Sequence, residues 1–325
     1  MYLESWNKYL NIPYVKLHFT ARILEDCHLP KNKTSAIRGG VGQMMIRQNC
    51  IRPEEIRKDE DCNCCSCREE CLVQRFLYTP MTILPSFSAD KLSMGYLFEC
   101  ENYYERFREG DTFLFHVTLF GKSRVYLNLL LQAVFALGAN GLGKEKGRFQ
   151  IVEILNSRKE NIMVNSPYGI QILKERYYPE TLAGYAAFRM KQIAMNGCEG
   201  RLKFQTETAL KYQKELMREF QMEAIISALA RRTYLFNCFE GTEMNLDDLM
   251  EEMLSDLPEI RFQQEEIIQV RRFSSRQMSS MRLEGIKGEI WLDRLPEPLL
   301  PYLLAGEIMH IGKNTSFGFG RYRVF

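Results

Sequence analysis

Apolar and polar residues alternate through Tyr14-Val15-Lys16-Leu17-His18-Phe19-Thr20-Ala21, the period-two signature of a half-buried strand. The period then changes. Lys33-Thr34-Ser35-Ala36-Ile37-Arg38 opens a helix-like segment running to about Arg47, with Ser or Thr available as its cap. Beyond a cysteine-rich stretch at about 50–75, Thr112 to Phe120 is rich in strand formers. Val125 to Leu137 is helical by its leucine density, and Phe149 to Leu155 reads as another strand. One middle strand is poorly defined. Residues 157–197 show no clean period and hold several Gly, Pro and Tyr residues, so linker and irregular structure are expected there.

A second series begins with a strand over Arg201 to Leu210 and a helix over Phe220 to Phe239. Ile267 to Phe273 and Ile286 to Leu292 predict paired strands, Leu299 to Met309 a helix, and Arg321 to Phe325 a last strand. Both halves read β-α-β-β-α-β, the split βαβ order of a ferredoxin-like domain. The expected class is α+β, with two tandem ferredoxin-like (RRM-like) domains: residues 1–156, carrying the cysteine-rich insert, and residues 198–325. An open sheet of this kind is also the platform of the RNA-recognition motif. Fold alone does not fix function.

The chemistry is concentrated at the C-terminal end, in Gly306 to Phe325. Gly312, Gly318 and Gly320 are interleaved there with Lys313, Asn314, Thr315, Phe317, Phe319, Arg321 and Tyr322. Glycine permits close backbone approach, lysine and arginine attract phosphate, and aromatic rings offer stacking faces, which makes this a candidate RNA-contact loop. A glycine-rich turn that merely closes a small domain would have a similar composition. A weaker copy follows the predicted helix Val125 to Leu137, with Gly143-Lys144 and then Gly147-Arg148-Phe149; two loops of one design suggest two domains of one design. Gly138 to Lys144 also fits the spacing of a nucleotide-binding phosphate loop, but Glu145 stands where the magnesium-binding Ser or Thr belongs and a helix precedes it, so that motif is rejected.

Net charge is only +2 over 325 residues, yet it averages unlike regions. Ten acids against one base lie between Glu240 and Glu266, a stretch expected to be a solvated helical face or loop, whereas six bases face three acids from Arg271 to Arg294. A local basic surface is therefore compatible with the low net charge. No stretch approaches the about 20 apolar residues of a membrane span and the N-terminus lacks a signal-peptide pattern, so a cytoplasmic location with no membrane partner is expected. Cys50, Cys62, Cys64, Cys65, Cys67 and Cys71 crowd one short polar stretch with CxxC spacing. In a cytoplasmic protein that density favours a metal over disulfides. Cys50, Cys64, Cys67 and Cys71 are the preferred quartet for structural zinc, Cys62 and Cys65 are alternates, and an iron–sulfur cluster is the rival.

Three segments resemble the CRISPR-associated endoribonucleases of the RAMP superfamily that cut repeat-containing precursor RNA. Gly312-Lys313-Asn314-Thr315-Ser316-Phe317-Gly318-Phe319-Gly320-Arg321-Tyr322 is similar to the family's glycine-rich loop. Phe273-Ser274-Ser275-Arg276-Gln277 with Met281, Gly285 and Gly288 resembles the strand region before it, and Ile37-Arg38-Gly39-Gly40-Val41-Gly42 with the cysteines and Phe76 resembles the cysteine-bearing branch. The resemblance implies tandem ferredoxin-like domains, CRISPR repeat RNA as partner, and cleavage that needs no metal or other cofactor. In that chemistry the RNA's 2′-hydroxyl attacks the adjacent phosphate, leaving a 2′,3′-cyclic phosphate and a 5′-hydroxyl; it requires a base, an acid and a cation.

His28 resembles in placement the family's N-terminal catalytic histidine; His310 is second, and Lys33 is a candidate to stabilise the phosphorane. His18 and His116 alternate within strands and are expected to be structural. Arg38, Arg271, Arg272, Arg276, Gln277, Gly312, Lys313, Asn314, Gly318, Phe319, Gly320, Arg321 and Tyr322 are the expected RNA contacts, with Tyr322 or Phe319 stacking on a base. A non-catalytic RNA-binding subunit alongside other CRISPR-associated effector proteins is the main alternative. A redox or metal sensor built on the cysteines leaves the two glycine-rich loops unexplained.

Overall fold

The computed structural model describes residues 5–52, 65–78, 81, 85, 93–167, 169–212, 215–274 and 279–325. They form two compact units, Val15–Pro179 and residues 1–14 together with Glu180–Phe325. The chain enters through a short helix α1 (Ser5–Tyr9) and a long strand β1 (Pro13–Ile23). In the N-terminal unit there follow β2 (Cys27–His28), α2 (Lys33–Asn49), α3 (Leu72–Leu77), β3 (Tyr96–Glu99), β4 (Arg106–Phe107), β5 (Thr112–Phe120), α4 (Leu127–Asn140), β6 (Phe149–Leu155), β7 (Met163–Ser166) and β8 (Gly169–Ile172). The main sheet has the order β3-β5-β1-β6. Counted among its own four strands this is second, third, first, fourth, the ferredoxin-like order.

Alternation on β1 turns Leu17, Phe19, Ala21 and Ile23 into the core, where Phe19 stacks on Phe115 at 4.8 Å. Helices α2 and α4 cover that face closely: a Cβ on Gly40 would lie 2.5 Å from the Leu137 side chain. The poorly defined middle strand is β3, whose four residues are all buried and so show no alternation. Within the cysteine-rich region, α3 sends Phe76 onto Tyr96 with ring centroids 4.7 Å apart.

The C-terminal unit adds β9 (Glu180–Thr181), α5 (Leu182–Asn196), β10 (Arg201–Thr208), β11 (Lys211–Tyr212), β12 (Glu215–Leu216), α6 (Met222–Glu240), α7 (Leu246–Leu254), β13 (Ile260–Ser274), β14 (Ser279–Leu292), α8 (Leu300–Met309) and β15 (Tyr322–Val324). Its sheet order, β13-β14-β10-β15, repeats the same topology. Two expectations need correction. Residues 157–197 contain the β7–β8 hairpin and helix α5, so the compact units divide at 14/15 and 179/180. Helix α5 buries Leu182, Ala183, Ala186 and Arg189, and small residues plus an arginine on the inner face hide its period. The paired strands are also about twice as long as expected, because β13 continues back through the polar run Gln263–Glu266. The acidic region is thus split: Asp247, Asp248, Glu251 and Glu252 lie on α7, over buried Leu249 and Met253, while Glu265 and Glu266 belong to a strand.

Candidate active-site residues and nucleic-acid interface

In the C-terminal unit the glycine-rich loop is bound to its own sheet. Ile311 N–H donates to Gly320 O at 3.0 Å, Gly320 N–H to Glu207 O at 2.9 Å and Lys313 N–H to Ala209 O at 2.9 Å. The Thr206 hydroxyl donates to Gly318 O at 2.8 Å and accepts from Arg321 N–H at 3.0 Å. Gly320 has φ +73°, and a Cβ there would lie 1.8 Å from Ile311 O. These close approaches are to the chain's own backbone, which is why glycine is required.

Phe319 and Tyr322, expected as stacking platforms, are core residues, each 1% exposed, and the Tyr322 hydroxyl donates to Leu303 O at 2.6 Å. A base cannot reach either ring. His310 is wholly buried beneath the loop, with Nδ1 3.1 Å from Phe319 O. The surface presented outward is instead Lys313, exposed, with Asn314 and Arg321 half-buried. Partial burial and the neighbouring charge of Lys211 both lower the Lys313 pKa, so two lysines of β11 and the loop create a local positive field. Sequence inspection missed Lys211, which carries no motif of its own.

Past the pair Ile267↔Ile286, strands β13 and β14 run on as a two-stranded ribbon, since β10 pairs with β14 only as far as Thr208↔Ile286. The ribbon is rooted on the loop: Val270 and Leu283 pack against Ala209, Phe317 and Phe319. Arg271 pairs opposite Arg282 and Arg272 opposite Met281, so the ribbon brings two candidate RNA-contact positions to the loop's flank. Arg276 and Gln277 lie outside the described residues.

In the N-terminal unit, the two-residue strands β2 and β4 pair Cys27 with Phe107 and His28 with Arg106. His28 is exposed, and its backbone N–H donates to Glu145 Oε2 at 3.1 Å, from the shorter glycine-rich turn. That turn packs tightly here: a Cβ on Gly147 would meet Cys27 Sγ at 2.6 Å. Its Arg148 is held by Glu25 in a bidentate pair at 2.8 and 2.9 Å. Helix α2 starts four residues after β2's last residue is passed, with the Asn32 side chain accepting from Ser35 N–H at 3.1 Å.

Lys33 is placed differently from its expected role. It is 1% exposed, donates to Asn102 O at 3.1 Å and to Tyr104 O, and lies 5.1 Å from the Phe107 ring centroid. Burial lowers its pKa. The ammonium ties the segment before β4 to the start of α2 and does not face solvent. The exposed cation beside His28 is Arg106, and Tyr104, 77% exposed, is close along the same segment. Neither has a sequence signature; the β2–β4 register reveals Arg106, and the Lys33 contact to its carbonyl places Tyr104. Arg38 is half-buried and donates to the Tyr96 hydroxyl at 2.8 Å. His18 and His116 face each other with Nδ1 atoms 2.8 Å apart.

Of the expected zinc quartet, Cys64 lies outside the described residues, as does the alternate Cys62. Cys50, Cys65, Cys67 and Cys71 are free thiols, and among the described residues no three His, Cys, Asp or Glu side chains gather into a metal-holding group. The described cysteines therefore do not form the expected ligand set.

Two family models account for the chain between them. One, described as an N-terminal domain, matches residues 12–176; the other, the CRISPR-associated endoribonuclease Cas6, matches residues 159–322. Among solved structures, a partial Cas6-RT-Cas1–Cas2 complex is similar with a TM-score of 0.59 at 13% identity, over 97% of this chain and 46% of that one. The chain thus spans less than half of that relative's length. A Cas6 product complex is similar with a TM-score of 0.53 at 11% identity, over 96% of this chain and 99% of the other. At such identities the likeness concerns the fold. No curated protein matches in sequence. The Cas6 model alone covers half of the sequence, through the ribbon and the glycine-rich loop, and the chain belongs to the Cas6 family of CRISPR-associated endoribonucleases.

Proposed function

We propose that this chain cuts CRISPR repeat RNA in precursor transcripts by internal attack of a 2′-hydroxyl, without a metal ion. A base takes the 2′-hydroxyl proton, the 2′-oxygen bonds to phosphorus, the bond to the 5′-oxygen breaks, and an acid delivers a proton to that oxygen. The products are a 2′,3′-cyclic phosphate and a 5′-hydroxyl. The observation that carries the assignment is exposure: of the four histidines, His28 is the exposed one, whereas His310 is wholly buried and His18 and His116 are half-buried against each other.

His28 acts as the base or the acid. Arg106, opposite it, supplies the cation for the phosphorane, and Lys33 acts as a positioning residue that fixes the segment carrying Tyr104 and Arg106. Lys211, Lys313, Arg271, Arg272 and Arg321 hold the RNA backbone in the C-terminal unit. The zinc expected at the cysteines has no part in this reaction. Among the described residues no helix is long and apolar enough to cross a membrane. The likeness to a complex of Cas6, RT, Cas1 and Cas2 supports other CRISPR-associated proteins as partners.

The test is labelled repeat RNA incubated with the protein in EDTA, beside a substrate with one 2′-deoxy at the mapped cut. Cleavage blocked by the deoxy, and slowed about 100-fold or more by His28→Ala, is the expected result. Tight binding of cognate repeats without a cut would reject the catalytic roles and leave a non-catalytic RNA-binding subunit.

A further inference from the structure

The open face of the C-terminal sheet carries a row of side chains that neither the loop nor the cleavage chemistry uses. Leu202 and Phe204 of β10, Ile290 of β14, and Tyr322 and Val324 of β15 are buried, so the residues between them face away from the core. The register aligns Phe262, Trp291, Arg201 and Phe325 across β13, β14, β10 and the residue after β15. Phe262 is 56% exposed and lies 5.0 Å from the Trp291 ring centroid. The Arg201 guanidinium sits 5.9 Å from Trp291 and 4.6 Å from Phe325, fixed by Glu289 at 3.0 Å and Glu199 at 2.9 Å. The row behind it places Lys203 of β10 between Glu289 of β14, whose carboxylate is bound to Arg201, and Arg323 after Tyr322 on β15, with both cations exposed.

Aromatic rings left in water cost free energy, and exposed cations beside them attract phosphate. Single-stranded nucleic acid answers both, by stacking bases on the rings and placing phosphates at the cations. We propose that this face binds a single-stranded RNA segment, with bases on Phe262 and Trp291 and backbone at Lys203 and Arg323. The inference rests on the reading that the chain handles RNA, but on residues separate from those assigned to cleavage.

Trp6 and Trp291 are the two tryptophans of the chain, so Trp6→Phe leaves Trp291 as sole emitter. That variant is titrated with an end-labelled oligoadenylate of about ten nucleotides, following Trp291 emission and probe anisotropy together. Saturable quenching that tracks the anisotropy is expected, weakened about tenfold by Phe262→Ala. Lys203→Glu with Arg323→Glu should also weaken binding and flatten its salt dependence. Phe262 is exposed, so a thermal melt of its alanine variant should show an intact fold. Rising anisotropy with unchanged Trp291 emission overturns the inference and leaves the proposed function standing. Binding of repeat RNA but not of the oligoadenylate does the same, whereas failure to bind either RNA overturns both. A change in Trp291 emission with protein concentration alone, matched by doubled mass in sedimentation, would assign the face to a second copy and overturn the RNA site.

Discussion

Glu307 anchors the C-terminal unit through four hydrogen bonds, and removing its charge tests whether that network stabilises the fold. Its Oε1 accepts from Arg189 Nη2 at 3.2 Å and from Val324 N–H at 2.8 Å; its Oε2 accepts from Arg189 Nε at 3.2 Å and from the Tyr185 hydroxyl. Arg189 Nη2 also donates to Val324 O at 2.7 Å. Helices α5 and α8 and the last strand are therefore joined at one carboxylate, with Glu307 6% and Arg189 9% exposed. Glu307→Gln keeps the shape but leaves a buried guanidinium without its counter-charge, a defect that costs about 3–5 kcal/mol. For a unit of this size that is a fall of about 10 °C or more in melting temperature. Arg189→Met should cost a similar amount, since it strands the carboxylate. The double variant Arg189→Met with Glu307→Leu should recover only part of the loss, because it removes the unpaired charge but leaves Val324 N–H and the Tyr185 hydroxyl without their acceptor. Thermal melts followed by circular dichroism, assembled as a double-mutant cycle, measure the coupling. A Glu307→Gln variant within 1 kcal/mol of the parent would refute the reasoning, because it would mean that the pair is hydrated or unmade.

Gly320→Ala must move Ile311 O out of the way at a left-handed backbone position, and a loss of about 2 kcal/mol or more is expected by chemical denaturation. Phe319→Ala should behave as a core truncation costing about 3–5 kcal/mol; an unchanged melting temperature with weakened RNA binding would restore its stacking role. His18 is pushed down to about 3, first by burial, then by His116, Lys159 and Lys16. Its folded pKa lies below its unfolded value, so the unfolded chain binds the extra proton and stability falls as pH drops from about 6.5 towards 3. His18→Leu should flatten that part of a pH-dependent melting curve, and an unaltered slope would show that the histidine is not held neutral. Lys33→Met should lower melting temperature as well as activity, whereas Arg106→Gln should slow cleavage of bound repeat with the melt unchanged.

Regular elements with one face in water were legible in the chain. β1, β5, β6 and α2 were bounded to within about three residues because burial alternates or repeats along them. Illegible elements share a physical cause, the loss of contrast between faces. β3 is buried on both sides, α5 turns alanines and an arginine inward, and β13 starts in a run of glutamines and glutamates that resembles a solvated loop. The repeated ferredoxin-like order could still be read because it depends on the sequence of element types, which tolerates an error in any one boundary.

The site was legible by residue type and not by direction. Glycine, lysine, histidine and aromatics in one loop suggested contact with RNA, but composition cannot say which way a side chain points. In the folded chain His310, Phe319 and Tyr322 point inward, and Lys33 is consumed by two carbonyls. Those roles must then pass to groups that face water. Next to His28 the β2–β4 register offers Arg106; beside the loop, β11 offers Lys211; and on the sheet, strand alternation offers Phe262 and Trp291. None of these belongs to a motif, since each is set by its partner on a neighbouring strand. Motif residues here build the loop's backbone, and the surface proposed to meet RNA is drawn from residues that the topology brings alongside it.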